Sequence, residues 1–134
     1  MTPSKVAAYR QTTIATADPV AITTMLFDGA LRAMRRARMR HEEGRRDEFL
    51  KELERAYLIV GELLATLDFE RGGDLAKQLS GIYAYCLRQL VEATLGDLEK
   101  LAEAEKHIGR IAEAWKKATA GLTQATRSAE PSHA

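Results

Sequence analysis

Hydrophobic positions recur at steps of three and four residues along most of the chain, which is the spacing of one face of an α-helix. A first helix is predicted to start at Asp18-Pro19, because a carboxylate can accept from the free amides of the first turn and proline is tolerated at the first helical position. Gly44 marks its expected end. Its predicted core face consists of Ile22, Met25, Leu26, Gly29, Ala30, Ala33, Met34 and Ala37.

The second predicted helix has the most regular pattern, with three core positions in seven, which is typical of a helical bundle. Its core face contains Phe49, Leu53, Ala56, Val60, Leu63 and Leu67, flanked by Leu50, Tyr57 and Leu64. Paired glycines at Gly72 and Gly73 then predict a chain reversal, and Asp74 is expected to cap the helix that follows.

The third predicted helix carries more apolar residues than one core face requires. Its first row is Leu75, Leu79, Ile82, Cys86, Leu90 and Ala93. A second row consists of Ala84, Leu87, Val91 and Leu95. Such a surplus indicates a groove for an amphipathic partner helix, a homodimer interface, or a helix buried on both sides, and the periodicity does not separate these possibilities.

After a break at Gly96-Asp97, a fourth helix is predicted from one further row of apolar residues. The row is Leu101, Ala104, Ile108, Ile111, Trp115, Ala118 and Leu122. The predicted fold is therefore an all-α, antiparallel up-down four-helix bundle over residues 18–122. We expect residues 1–17 to form a flexible arm and residues 123–134 a disordered polar tail.

Composition and charge narrow the possible functions. Twenty basic residues stand against nineteen acidic ones, so the overall charge favours neither nucleic acid nor an anionic membrane as a partner. We expect no stable membrane insertion and a cytoplasmic location, because the chain lacks a signal peptide pattern and a long apolar run. The single cysteine, Cys86, agrees with a reducing compartment.

No cluster of residues in the sequence predicts catalysis, a cofactor or a metal. Cys86 lies on an apolar helix face with no histidine placed to activate it. Only Glu130 and His133 have the Glu-x-x-His spacing of di-metal bundles, and they lie in the polar tail. The arginine-rich stretch from Arg32 to Arg46 is interleaved with acidic residues, which favours a solvated face over nucleic-acid binding.

Three local patterns, in this order and spacing, resemble the FliS family of flagellin export chaperones. The patterns are Ala8-Tyr9-Arg10-Gln11 with Ala17-Asp18-Pro19 and Met25-Leu26-Phe27-Asp28-Gly29-Ala30; Leu64-Ala65-Thr66-Leu67-Asp68 leading to Leu75-Ala76; and Ile82-Tyr83-Ala84-Tyr85 with Leu90, Glu92-Ala93 and Trp115. The chain departs from the family at Phe27, where a tyrosine is usual, and at Thr94, where an asparagine is common.

The resemblance implies a non-catalytic chaperone that binds the disordered C-terminal segment of flagellin and prevents its premature polymerisation before type III secretion. It also implies contact with export apparatus components, and an N-terminal lid over part of the flagellin groove, for which we predict Tyr9 and Ile14 as contact residues. Leu87, Val91 and Leu95 are the predicted groove residues, from periodicity, and Tyr83 is predicted as a further partner-binding residue. The alternative function is a structural bundle that homo-oligomerises and has no secretion client.

Overall fold

A computed structural model describes residues 18–129, with side chains described up to Leu122. Four α-helices occupy this part of the chain: α1 (Pro19–Glu42), α2 (Arg46–Ala65), α3 (Phe69–Ala93) and α4 (Leu98–Ala129). The described residues contain no β-strand, and the all-α prediction is confirmed.

The helices form a ring in which each one packs against two neighbours. α1 packs against α2 and α4, α3 also packs against α2 and α4, and the backbones of the diagonal pairs are not neighbours. Neighbouring helices run antiparallel, because contacts join the end of one helix to the start of the next in all four pairs. These contacts are Arg38–Glu105, His41–Phe49, Arg46–Thr94 and Lys100–Glu92. The largest fully buried side chains are Phe27, Phe49, Met34, Leu53, Leu63, Leu90, Leu101, Ile108, Val60 and Cys86.

The start of α1 agrees with its sequence signal, whereas the start of α3 does not. Asp18 accepts a hydrogen bond from the Ala21 amide at 2.8 Å, which confirms the predicted cap. For α3 the prediction of Asp74 as the cap is wrong, because Asp68 accepts from the amides of Glu70 and Arg71 at 3.1 Å each. The chain therefore reverses before the paired glycines.

The paired glycines interrupt α3. Gly73 has φ 50° and ψ −126°, which is not a helical conformation, so a short helical segment before it and a long one after it meet at a kink. Left-handed φ values favour glycine because it has no Cβ.

The end of α4 also lies beyond the predicted boundary. The sequence indicated a disordered tail from Thr123, but α4 continues to Ala129, so residues 123–129 are helical. No glycine or proline interrupts this stretch, and the first helix breaker after it is Pro131. Polar composition alone was therefore a poor indicator of the helix end.

Candidate partner-binding site

The second apolar row of α3 is largely uncovered in the structure. Leu87 is half-buried against the core, whereas Val91 is 55% exposed and Leu95 is 85% exposed. Within the part of the chain that the structure describes, α3 is therefore not buried on both sides. We call Leu87, Val91 and Leu95 the apolar row from here on.

A shallow groove of about 240 Å³ lies next to this row, on the side of α2. Leu87 and Val91 form its α3 wall, together with the flanking Arg88 and Glu92, and Tyr57 contributes from α2. Tyr57 is 41% exposed, although the sequence placed it beside the core face of α2. An aromatic ring opposite two aliphatic side chains suits an apolar ligand side chain.

Leu95 lies beyond this groove, at the C-terminal end of α3. The loop there is fastened to α2 by Arg46, whose guanidinium donates to the Thr94 carbonyl at 3.1 Å. Leu95 is not among the residues that line the groove. The apolar row therefore extends past the groove to the end of the bundle.

Tyr83 does not belong to this surface. The structure places it in the core with 3% of its surface exposed. Burial, and to a lesser extent the neighbouring Cys86, raises the pKa of the Tyr83 hydroxyl to about 12. Tyr83 contributes instead to the wall of a larger cavity at the opposite end of α3.

This end cavity has a volume of about 650 Å³ and is lined mainly by apolar side chains of all four helices. Its walls include Pro19, Ile22, Leu63, Leu67, Leu79 and Ile111. Trp115 closes one side, where its indole N–H donates to the Thr24 hydroxyl at 2.9 Å and its ring lies 6.2 Å from that of Phe27. The sequence analysis did not predict this cavity, because its lining residues were assigned to filled core rows.

The two arm residues predicted to bind, Tyr9 and Ile14, lie outside the described residues. The described chain begins beside the end cavity, since Pro19 is one of its lining residues. Asp18, the first described residue, immediately precedes Pro19 of the cavity lining.

The described residues also include no catalytic or metal-binding arrangement. Burial, followed by the negative charge of Glu103, raises the pKa of the Cys86 thiol to about 11, which disfavours the nucleophilic thiolate. No group of three or more histidine, cysteine, aspartate or glutamate side chains in the described range could hold a metal ion. None of the described helices combines the length and apolar character needed to cross a bilayer.

The fold and the uncovered row define the class of protein: a small four-helix bundle that leaves part of an apolar helix face open to solvent. A family model described as flagellar protein FliS matches residues 2–122. The chain belongs to the FliS family, as the local patterns in its sequence predicted.

Relatives from several bacteria match most of the chain. The flagellar secretion chaperone FliS of Salmonella typhimurium is 39% identical over 121 residues, covering 86% of this chain and 90% of the relative. That of Bacillus subtilis is 34% identical over 112 residues, covering 83% of both chains. That of Escherichia coli is 34% identical over 97 residues, covering 71% of both. The names of these relatives describe a chaperone and not an enzyme, which agrees with the predicted non-catalytic function.

Proposed function

We propose that this protein is a cytoplasmic export chaperone that binds the C-terminal segment of flagellin, prevents its premature polymerisation and keeps it competent for flagellar type III secretion. Membership of the FliS family supports the proposal, since the relatives are named flagellar secretion chaperones. The observation that carries it is the exposure of Val91 and Leu95 beside an apolar groove.

An amphipathic helix is the natural ligand of such a surface. Its apolar side chains are removed from water when they cover the row, which contributes roughly 25 cal/mol per Å² of buried apolar area. Ordering a disordered segment costs about 2 to 5 kcal/mol or more, so a groove of this size cannot hold the client alone. We therefore propose that the client also covers Leu95 and the apolar lining of the end cavity.

The N-terminal arm is proposed to act as a lid that competes with the client. Residues 1–17 join α1 at Pro19, on the lining of the end cavity, so an arm of this length reaches the cavity without crossing the bundle. We propose that Tyr9 and Ile14 supply the apolar side chains that occupy it. Such competition lowers client affinity and eases release at the point of export.

Titration with a flagellin peptide tests the chaperone function. Purified protein mixed with a C-terminal flagellin segment of about 40 residues should form a one-to-one complex and gain helicity, because a disordered ligand orders on binding. Calorimetry gives the stoichiometry, and circular dichroism gives the change in helicity.

Variants of the apolar row locate the binding surface. The double substitution Val91→Asp and Leu95→Asp should abolish peptide binding with little change in helicity, because both side chains are exposed. Met39→Asp is the matched control, since Met39 is 53% exposed but lies on α1, diagonally opposite α3. The control should bind the peptide normally.

Two results would contradict the proposal. Equal loss of binding in the Met39 control would show a general effect of added charge and not a site. No binding by the unmodified protein, together with a dimer that the double substitution dissociates, would instead support the alternative of a homo-oligomeric structural bundle.

A further inference from the structure

The arginines of α1 and the following loop fall into two groups that the sequence does not distinguish. Arg38 pairs with Glu105 of α4, and Arg40 pairs with Glu43 at 2.7 Å. Arg45 likewise pairs with Glu48. A second group, formed by Arg32, Arg35 and Arg36, is exposed and makes no ion pair within the part of the chain that the structure describes.

These unpaired arginines do not serve the stability of their own helix. Arg32 and Arg36 lie four residues apart, which places like charges side by side on the helix surface and destabilises it. The carboxylate one turn before Arg32 is Asp28, which is engaged by Lys116 of α4 at 2.7 Å. The positive charge of the row is therefore left without a local counter-charge.

Two exposed methionines share this face. Met25 is 38% exposed and Met39 is 53% exposed, and they lie seven residues before Arg32 and three after Arg36. Arginine and methionine are both enriched at protein interfaces, whereas lysine is depleted there. We call Met25, Arg32, Arg35, Arg36 and Met39 the arginine face.

The position of this face separates it from the proposed client groove. α1 and α3 occupy diagonal corners of the bundle, and their backbones are not neighbours. A partner on the outer side of α1 would therefore leave the apolar row of α3 free. A nucleic acid fits this face less well, because the net charge of the chain is only +1 and the face contains no aromatic residue on which bases could stack.

We propose that the arginine face docks an acidic amphipathic helix of a second protein, at the same time as the client occupies α3. Carboxylates of that helix pair with Arg32, Arg35 and Arg36, and its apolar residues cover the two methionines. The proposal goes beyond flagellin binding and does not depend on it.

A synthetic probe tests the proposal directly. A fluorescein-labelled helical peptide with glutamates at three- and four-residue spacing around a leucine stripe is titrated with the full chain, and binding is followed by fluorescence anisotropy. Binding should weaken as salt is raised, since exposed charge pairs are screened. The double substitution Arg35→Glu and Arg36→Glu should weaken it by about tenfold or more.

The matched control changes the net charge of the protein by the same amount, at two positions outside the arginine face. Arg55 is already paired with Glu52, and Arg71 is 91% exposed at the start of α3, so Arg55→Glu with Arg71→Glu should leave probe binding close to normal. Circular dichroism verifies that both doubly substituted proteins remain helical. The flagellin peptide should bind the Arg35 and Arg36 variant as it binds the unmodified protein.

Several results would overturn the proposal. One is equal weakening by both double substitutions, which would indicate a response to net charge alone. Another is that a probe with glutamine in place of every glutamate binds as tightly as the glutamate probe. Tighter binding of a single-stranded DNA oligonucleotide or of anionic vesicles than of the acidic peptide would assign the face to a different partner. Loss of flagellin peptide binding alone would affect the chaperone proposal and not this one.

Discussion

At the scale of single residues, burial governs the behaviour of Cys86. Its side chain has no exposed surface, and removal from water raises the pKa of its thiol from 9.0 to about 11, with the charge of Glu103 as a smaller cause. Only the neutral form is compatible with this site. The thiol therefore acts as a small core side chain that links stability to pH.

We predict that titration of Cys86 makes the free energy of unfolding depend on pH. The unfolded chain loses the Cys86 proton near pH 9, while the folded chain keeps it up to about pH 11. The contribution of Cys86 is thus fully present below pH 9 and is lost as the pH rises towards 11, by up to about 2 to 3 kcal/mol in the free energy of unfolding. Urea denaturation at several pH values between about 8 and 11 measures this decline.

Cys86→Ala provides the comparison. The variant lacks the titrating thiol, so its free energy of unfolding should fall less steeply over the same pH window. Tyr83 titrates in both proteins, because burial is the main cause that raises its pKa to about 12, while the smaller contribution of Cys86 to that pKa is lost in the variant. Identical slopes in the two proteins would show that the thiol does not carry the effect.

At the scale of secondary structure, the kink of α3 depends on a glycine. Gly73 adopts φ 50° and ψ −126°, a combination that L-residues rarely adopt. We predict that Gly73→Ala lowers the free energy of unfolding by about 1 to 3 kcal/mol, because the added Cβ strains the backbone. Urea or thermal denaturation followed by circular dichroism measures the change.

Gly81 is the control in the same helix. A Cβ at Gly81 would meet no atom within 4 Å, and the backbone there is helical, so Gly81→Ala should raise the free energy of unfolding by about 0.5 to 1 kcal/mol. A Gly73→Ala protein that is as stable as the Gly81 variant would show that the kink is not maintained in solution.

Periodicity predicted the helices well because each core face must repeat every three or four residues to stay in contact with its neighbours. Periodicity could not show where a neighbouring helix ends. Leu75 and Ala118 continue the predicted rows of α3 and α4, yet both are exposed, and Leu75 retains 63% of its surface. A row of apolar residues shows which face of a helix is apolar, but it does not show how much of that face a neighbouring helix covers.

The apolar row and the end cavity differ in how far the sequence reveals them. Surplus apolar residues on α3 indicated an uncovered surface, and Val91 and Leu95 are exposed as expected. The end cavity is different, because it lies between residues from all four helices that each belong to a regular core row. A gap between helices depends on their three-dimensional spacing, which a single row does not encode. Tyr83, which was predicted to bind a partner, lies in the wall of this cavity and not in the apolar row.

At the scale of the whole molecule, the proposed lid requires that the arm and the client cover the same apolar surface, which we propose is the end cavity. We predict that deleting residues 1–15 strengthens flagellin peptide binding or leaves it unchanged. Without the arm, the peptide no longer has to displace it from the apolar surface that both would cover. Calorimetric titration measures the affinity. The emission of Trp115, the only tryptophan and part of the cavity wall, should shift to longer wavelength as the cavity opens to water.

Tyr9→Ala, made in the chain with its arm intact, tests whether the arm competes with the peptide without any change in the fold. If the tyrosine holds the arm on the cavity, this variant should reproduce part of the emission shift and part of any gain in affinity, while its helicity stays unchanged. Clear weakening of peptide binding in the deletion would mean that the arm is a direct contact for the client. An unchanged emission spectrum would place the arm elsewhere, because water entering an apolar cavity must alter the surroundings of an indole in its wall.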